Sequence, residues 1–237
     1  MPVPITCVDN FYEDPDSIVE FANSLTFGGA YDNEGVYPGL RTPRLHLIDE
    51  NFYDAFCGKV LSLFFDYGLQ QIPMKWTIDT AFQKILPFTS DKDPIINSGW
   101  IHIDNNSPVA GVIYLNKDTN LNAGTSIYQV KYPELYDKNN PDNYGDNSSR
   151  IDLYDNQKID LTEYRRKKIK HETLFDKTID FSNVYNRLIL YDSKTWHKES
   201  SFIINSQDDA RLTQVFFIDP EESDYSSPIH RKNQFNI

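Results

Sequence analysis

The sequence has little cysteine and no long hydrophobic run, and each shortage excludes a class of protein. Two cysteines, Cys7 and Cys57, occur among 237 residues, which excludes a disulfide scaffold and favours free thiols in a reducing compartment. No apolar stretch approaches the length of a membrane helix, so we expect no membrane partner. The first residues lack a basic region followed by an apolar run, and we therefore expect no signal peptide.

Positive charge is also scarce. Lysine and arginine total 23 against 35 aspartate and glutamate residues, which gives a net charge of -12. Such a surface repels phosphate backbones, so we expect no nucleic-acid partner. The one basic run, residues 165–168, is interpreted as a solvated face.

Apolar residues are present in sufficient number for a folded core. Hydrophobic residues make up 39% of the chain and aromatic residues 14%, which excludes global disorder. A length of 237 residues suits one large β-rich domain. We therefore predict a single domain over residues 1–237.

The first part of the chain, residues 1–75, is predicted to be a helical support region. Asp14 can cap a helix that starts at Pro15. Apolar residues then recur at helical spacing, at Ile18, Phe21, Ala22 and Leu25. A second helix is predicted from near Asp49 to Gly68, and the segment 37–43 between the helices is predicted to be a turn-rich loop.

From residue 76 the pattern changes to a period of two, which indicates strands. Further short strands are predicted at 99–104, 108–115, 124–130, 184–191, 196–204 and 211–218. Many short strands separated by turns are typical of a sandwich or barrel, so the fold class is mostly β with supporting helices. We place this core at residues 76–219, with a long, partly helical insertion at 131–180 and a tail at 220–237.

The segment Trp100-Ile101-His102-Ile103-Asp104 contains the first candidate site residues. Side chains two apart on a strand point to the same face, so His102 and Asp104 should project together. An imidazole beside a carboxylate can bind a metal ion. Ferrous iron commonly takes two histidines and one carboxylate on one face of its octahedron.

The third ligand must come from elsewhere in the chain, and His197 is the best candidate. It follows a predicted strand and a short turn, which is where site residues are often found. Three other histidines fit less well: His46 is expected on a strand, His171 in solvent and His230 in the C-terminal tail.

Arg211 begins the last predicted strand and shares a face with Thr213. An arginine buried in a β-rich core is costly unless an anion pairs with it. A guanidinium matches a carboxylate with two hydrogen bonds, and the Thr213 hydroxyl can add a third. The distal carboxylate of 2-oxoglutarate would fit this pair.

Taken together, these segments resemble the Fe(II)/2-oxoglutarate-dependent oxygenase superfamily, and most closely its prolyl-4-hydroxylase-like branch. The matching residues are, in order, His102-Ile103-Asp104, Gly111-Val112-Ile113-Tyr114-Leu115-Asn116, Gly124-Thr125, Asn186-Arg187-Leu188-Ile189-Leu190, His197 and Arg211. The resemblance implies a double-stranded β-helix, or jelly-roll, core. The loop at 37–43 is similar to small bacterial and phage members, which implies a cytoplasmic protein of a bacterial or phage-infected cell.

The same resemblance implies roles for individual residues. The ligands of Fe(II) would be His102, Asp104 and His197. The distal carboxylate of 2-oxoglutarate would contact Arg211 and Tyr114, and Gln83 lies where a cosubstrate-binding polar residue is often found. With O₂ as the other cosubstrate, the implied activity is hydroxylation of a small molecule or a peptide side chain, with release of succinate and CO₂.

Three functions remain open from the residues. The first is this oxygenase, with a peptide prolyl hydroxylase as its narrower version. The second is a non-catalytic jelly-roll protein with a structural or binding role, which would need no metal. The third is a zinc hydrolase that uses the same two histidines and carboxylate.

Overall fold

Two antiparallel β-sheets face each other, and helices cover the outer side of the larger sheet. The computed structural model describes residues 5–29, 37–63, 75–89, 93–104, 107–117, 119–136, 160–204 and 210–222. The α-helices in these residues are α1 (Pro15–Ser24), α2 (Glu50–Ser62) and α3 (Leu161–Glu172). No helix in the described ranges is long and apolar enough to cross a membrane.

The strands form sheets of six and three members. Their bounds are β1 (Thr6–Val8), β2 (Leu40–Arg41), β3 (Lys75–Ile85), β4 (Val109–Tyr114), β5 (Thr125–Val130), β6 (Phe175–Phe181), β7 (Leu188–Asp192), β8 (Trp196–Glu199) and β9 (Arg211–Glu222). The larger sheet has the order β1-β7-β4-β9-β3-β2, and the smaller sheet has the order β6-β5-β8. The predicted fold class, mostly β with supporting helices, is confirmed.

The first two helices start where the sequence predicted. The Asp14 side chain accepts a hydrogen bond from the Ser17 backbone at 3.2 Å, with Pro15 at the first helical position. The Asp49 side chain accepts one from the Phe52 backbone at 2.9 Å. The predicted end of the second helix at Gly68 lies outside the described residues.

Alternation along the strands of the larger sheet separates two apolar clusters. On β4, Val109 and Ile113 pack with the helices in the main core. Ala110, Val112 and Tyr114 point the other way and pack with Ile127 of β5 in the smaller sheet. Because side chains alternate across a strand, one face of this sheet builds the core and the other lines the space between the sheets.

Gly111 lies where β4 passes under a core aromatic ring, and this close approach requires glycine. A Cβ added there would lie 2.2 Å from Phe216 Cζ and 2.8 Å from the Ile189 carbonyl oxygen. The Phe216 ring cannot move aside easily, because it is fully buried and packs edge-on against Phe56 with centroids 5.5 Å apart.

We therefore expect Gly111→Ala to lower the free energy of unfolding by about 1–3 kcal/mol, the usual effect of overpacking a core. Urea denaturation followed by tryptophan fluorescence measures it. Gly58→Ala is the matched control: a Cβ there has no neighbour within 4 Å, and alanine inside a helix gains roughly 0.5–1 kcal/mol over glycine. Equal stability of Gly111→Ala and the unmodified protein would contradict the packing argument.

Helix α3 corrects two expectations about the basic segment. Lys168 is 0% exposed, and its Nζ donates hydrogen bonds to the Ser98 carbonyl oxygen and hydroxyl. His171, expected in solvent, is 1% exposed and hydrogen-bonds the Ile101 carbonyl oxygen through Nε2 at 2.8 Å. The solvated face is confirmed for Arg165, Arg166 and Lys167, which are exposed, and is wrong for Lys168 alone. Lys168 and His171 are buried because one face of α3, spaced i, i+4 and i+7 from Tyr164, packs on the segment 98–101.

Other expectations differ in detail. His46 lies in a 3₁₀-helix, Leu45–Leu47, instead of a strand. The predicted strand at 99–104 has no regular strand structure, and its one ladder contact is an isolated bridge between His102 and His197. The predicted insertion at 131–180 contains α3 and most of β6, a strand of the smaller sheet. Its residues 137–159, the end of the predicted tail and His230 lie outside the described residues.

Candidate metal centre

Three predicted site residues, distant in sequence, lie close together at the edge of the space between the sheets. His102, Asp104 and His197 each offer one ligand atom, and these atoms all lie within 4.8 Å of one another. Nε2 of His197 is 3.3 Å from one Asp104 oxygen, and Nε2 of His102 is 3.8 Å from the other. The arrangement could hold a metal ion.

Backbone hydrogen bonds join the segments that supply these side chains. The backbones of His102 and His197 exchange two N–H to C=O bonds, each 2.9 Å long. The Asp104 N–H donates to the Ser193 carbonyl oxygen, also at 2.9 Å. The isolated bridge therefore fixes His102 beside His197, although the segment that carries His102 and Asp104 is not a regular strand.

A hydrogen bond at Nδ1 orients each of the two imidazole rings. Nδ1 of His102 lies 2.8 Å from the Trp100 carbonyl oxygen, and Nδ1 of His197 lies 2.8 Å from the Thr195 carbonyl oxygen. A carbonyl oxygen only accepts, so each Nδ1 carries the proton and donates it. The lone pair of each Nε2 is thereby directed at the cluster, as in histidines that bind metals.

The electrostatics of the cluster favour an ionised carboxylate. Burial raises the pKa of Asp104, but His197, His102 and Arg41 together lower it well below its ordinary value. Burial lowers the pKa of His197, and the Asp104 carboxylate more than offsets this, so the pKa of His197 is raised. An anionic group between two imidazoles is a site that attracts a cation.

The segment that carries the ligands is supported from behind by α3. Trp100 donates a hydrogen bond from its indole N–H to the Tyr164 hydroxyl at 2.9 Å. Its ring also packs against His171, with centroids 5.3 Å apart. Burial lowers the pKa of His171, so a neutral imidazole is favoured there. These contacts hold the backbone next to His102, and Trp100 is a packing residue.

Arg211 lies buried between the sheets, as the sequence predicted. It is 2% exposed, and its Nε donates to the Ala123 carbonyl oxygen at 2.8 Å. Its guanidinium carbon lies 5.5 Å from the centre of the Tyr114 ring. Within the described part of the chain no carboxylate forms an ion pair with Arg211. A buried cation without a counter-charge is costly, which favours an external anion.

Polar groups beside Arg211 fit the same anion. Thr213 Oγ1 is buried and has no hydrogen-bond partner among the described residues, and such an atom is costly unless a ligand or water satisfies it. The Tyr114 hydroxyl donates to Thr125 Oγ1 at 2.8 Å. Burial raises the pKa of Tyr114 to about 12, so it remains a protonated donor at neutral pH.

Three of the four predicted cosubstrate residues, Tyr114, Thr213 and Gln83, form one row across the larger sheet. Thr213 on β9 pairs with Tyr114 on β4 and with Gln83 on β3. Arg41 on β2 then pairs with Gln83 and extends the row. Residues directly opposite one another on neighbouring strands share a face, so all four side chains lie on the inner side of the sheet.

Sequence reasoning did not identify Arg41 as a site residue. Strand β2 has two residues, Leu40–Arg41, and so shows no alternation that could reveal its inner face. The available signal was the turn-rich segment 37–43, which contains β2 and predicted a loop there. Nor could helical periodicity of apolar residues reveal the support from α3, because Lys168 and His171 on its buried face are polar.

The donor set fits iron and a 2-oxo dicarboxylate. Two imidazole nitrogens and one carboxylate suit a divalent first-row metal, and in facial geometry they are typical of non-haem Fe(II). The Arg211 guanidinium and the unsatisfied Thr213 hydroxyl suit a carboxylate. The structure therefore brings together residues of both kinds that the sequence predicted.

Solved structures with similar folds exist at low sequence identity. HygX from Streptomyces hygroscopicus, solved with nickel and 2-oxoglutarate bound, matches with a TM-score of 0.52 and 9% identity, covering 92% of this chain and 83% of its own. The epimerase SnoN, solved with Fe3+, alpha ketoglutarate and nogalamycin RO, matches at 0.48 and 13%, covering 91% and 78%. A Pseudomonas putida prolyl-4-hydroxylase matches at 0.45 and 10%, covering 90% and 91%.

The likeness to HygX shows the fold, and the predicted jelly-roll core is confirmed. No protein of curated function matches the chain in sequence. One protein-family model, described as a family of unknown function, matches residues 2–218.

Proposed function

Since this chain belongs to DUF6445, a family of unknown function, its activity has to be inferred from its own residues, and we propose that it is an Fe(II)- and 2-oxoglutarate-dependent oxygenase. The observation that carries the proposal is Arg211, a buried guanidinium with no carboxylate partner among the described residues, beside the same inter-sheet space as the cluster of His102, Asp104 and His197.

Tyr191 connects the two groups of residues. Its ring packs on His197 with centroids 4.6 Å apart, and it belongs to the same apolar cluster as Tyr114. Its hydroxyl interacts electrostatically with both Asp104 and Arg211. We infer that both groups border the same space between the sheets, which suits one ligand that binds the metal at one end and the guanidinium at the other.

The protein holds and orients the reactants. His102, Asp104 and His197 would hold the iron with two imidazole nitrogens and one carboxylate oxygen, a donor set that leaves room for cosubstrates. Arg211 and Thr213 would bind the distal carboxylate of 2-oxoglutarate and fix its direction, and Tyr114 would join them by turning toward it the hydroxyl proton that it donates to Thr125. Bound iron and 2-oxoglutarate supply the oxidising chemistry with O₂, releasing succinate and CO₂.

We propose that a small molecule or a peptide side chain is hydroxylated near the metal. The resemblance to the prolyl-4-hydroxylase-like branch supports the narrower version, a peptide prolyl hydroxylase. A cytoplasmic location in a bacterial or phage-infected cell remains part of this proposal, and the two unpaired cysteines support it.

An anaerobic titration tests the proposed function. Adding Fe(II) and 2-oxoglutarate is expected to give the weak visible charge-transfer band of a chelated keto acid. Glutarate is the matched control, because it has both carboxylates and lacks the keto group, and it should give no band. A metal-loaded protein that gives no band with 2-oxoglutarate would favour a zinc hydrolase. A protein that binds no metal would favour a non-catalytic jelly roll.

A further inference from the structure

The segment Tyr37–Arg41 places a second guanidinium on the inner face of the larger sheet. Arg41 stands opposite Gln83, and Gln83 stands opposite Thr213, so Arg41 is two strands from the proposed cosubstrate residues. Neighbouring strands are about 4.8 Å apart, which places its Cα roughly 10 Å from that of Thr213. Arg41 therefore forms one end of this row, and Tyr114, with the Arg211 guanidinium carbon 5.5 Å from the centre of its ring, forms the other.

A rigid frame holds this guanidinium. Its carbon lies 4.0 Å from the centre of the Tyr37 ring, which is itself buried. One guanidinium nitrogen donates to Gln83 Oε1 at 3.3 Å, while Gln83 Nε2 donates to the Pro38 carbonyl oxygen at 2.7 Å. Stacking on the Tyr37 ring and the hydrogen bond to Gln83 fix the orientation of the Arg41 guanidinium before any ligand binds.

Gly39 allows the chain to enter this position. Its φ is +80°, and a Cβ there would lie 2.2 Å from the Lys84 carbonyl oxygen. Only glycine adopts this backbone conformation so close to a neighbouring strand without strain. The turn therefore determines where the Arg41 side chain points. Arg41 can then act on a ligand through its fixed position as well as through its charge.

Arg41 interacts electrostatically with the candidate metal site, because its charge contributes to the lowered pKa of Asp104. Its guanidinium interacts electrostatically with Asp104, Asp79 and Glu199, and Asp104 is one of the proposed ligands. Burial lowers the pKa of Arg41, which nevertheless stays charged because a guanidinium deprotonates only at very high pH. The positive charge of Arg41 therefore attracts an anionic ligand in the space next to these residues.

We propose that Arg41 binds a carboxylate of the primary substrate, which makes the substrate a carboxylic acid; this rests on the proposed oxygenase function. A guanidinium has five N–H donors and can contact a ligand while keeping its bond to Gln83. The short cosubstrate, held between Arg211 and the metal, leaves the Arg41 end of the row to a second molecule. Arg41 could instead bind a carboxylate of the cosubstrate, the one that lies next to the keto group of 2-oxoglutarate.

Two binding measurements distinguish these sources. In the first, 2-oxoglutarate is titrated anaerobically into the Fe(II) protein and its Kd is read from the charge-transfer band. In the second, benzoate is titrated into the protein saturated with Fe(II) and 2-oxoglutarate, with ligand-detected NMR as the readout and benzamide as the neutral control. Neither measurement depends on turnover.

Arg41→Gln is the test variant and Arg44→Gln the matched control. Arg44 follows the same loop, carries the same charge and has a side chain 63% exposed in a surface pair with Asp79. We expect Arg41→Gln to weaken benzoate binding by about 10- to 100-fold, the usual effect of losing a charge-assisted hydrogen bond, and to leave the Kd of 2-oxoglutarate unchanged. Arg44→Gln should alter neither.

The remaining outcomes are also decisive. Weaker 2-oxoglutarate binding with unchanged benzoate binding would assign Arg41 to the cosubstrate and overturn a substrate role. Wild-type affinities for both probes in Arg41→Gln, or no binding of benzoate by the unmodified protein, would overturn the proposal while the oxygenase function stands. If Arg41→Gln does not fold, Arg41→Lys retains the charge without the fork and should show a smaller loss for benzoate. Failure of the oxygenase proposal can be told apart from failure of the Arg41 proposal, because the unmodified protein would then give no charge-transfer band with Fe(II) and 2-oxoglutarate.

Discussion

Asp104→Ala is expected to lower the affinity for Fe(II) by at least about 100-fold, since loss of an outer-shell partner alone lowers affinity by 10- to 100-fold. Asp104 is the one carboxylate in the cluster, and its oxygens face both Nε2 atoms. The surrounding imidazoles and Arg41 keep it ionised. Without it, two neutral imidazoles remain, and a hard divalent cation binds them less tightly.

Equilibrium dialysis against Fe(II) under anaerobic conditions measures this affinity, and circular dichroism checks the fold. Asp176→Ala is the matched control, because Asp176 is a half-exposed carboxylate in a surface pair with Lys131. It removes the same charge and should leave the Fe(II) affinity unchanged. An Asp104→Ala protein that still binds Fe(II) like the unmodified chain would show that Fe(II) binds elsewhere.

Arg211→Gln is expected to raise the Kd of 2-oxoglutarate by about 10- to 100-fold while leaving Fe(II) binding intact. The physical reason is the loss of a buried charge-assisted pair with the distal carboxylate. Glutamine is long enough to donate to the Ala123 carbonyl oxygen, which Arg211 now satisfies. The substitution therefore removes the charge while the carbonyl oxygen of Ala123 keeps a hydrogen-bond donor.

The charge-transfer band measures this Kd, and dialysis measures the metal. Arg166→Gln is the matched control, since Arg166 is exposed and pairs with Glu163 on α3. Loss of Fe(II) affinity in Arg211→Gln would show that this arginine supports the metal cluster. An unchanged Kd for 2-oxoglutarate would show that the anion binds elsewhere.

The grouping of His102, Asp104 and His197 could be predicted because the first two are close in sequence and the third begins a predicted strand. The two-residue spacing of His102 and Asp104 places both on one side of any extended backbone. This rule held although the segment 99–104 forms only an isolated bridge. Strand-face reasoning likewise placed Arg211 and Thr213 together, and the structure confirms that both are buried.

The missed features depend on partners that a local pattern does not encode. Lys168 and His171 are polar residues on a helix, and only the backbone of the segment 98–101 gives them a reason to be buried. Arg41 lies on a strand of two residues, so its direction follows from its pairing with β3. Local periodicity predicts which face of a helix or strand a side chain occupies. These contacts depend instead on which helices, strands and loops pack against one another.

The register of β9 has a consequence for how this protein tolerates insertions and deletions. Arg211 and Thr213 face the inter-sheet space while Leu212 and Phe216 face the core, and the pairing with β3 fixes this division. A shift of one residue would exchange the two sets, burying a guanidinium among aliphatic side chains and turning a phenyl ring toward the ligand. Length changes within this strand should therefore abolish folding and ligand binding in a single step, whereas substitutions can separate them.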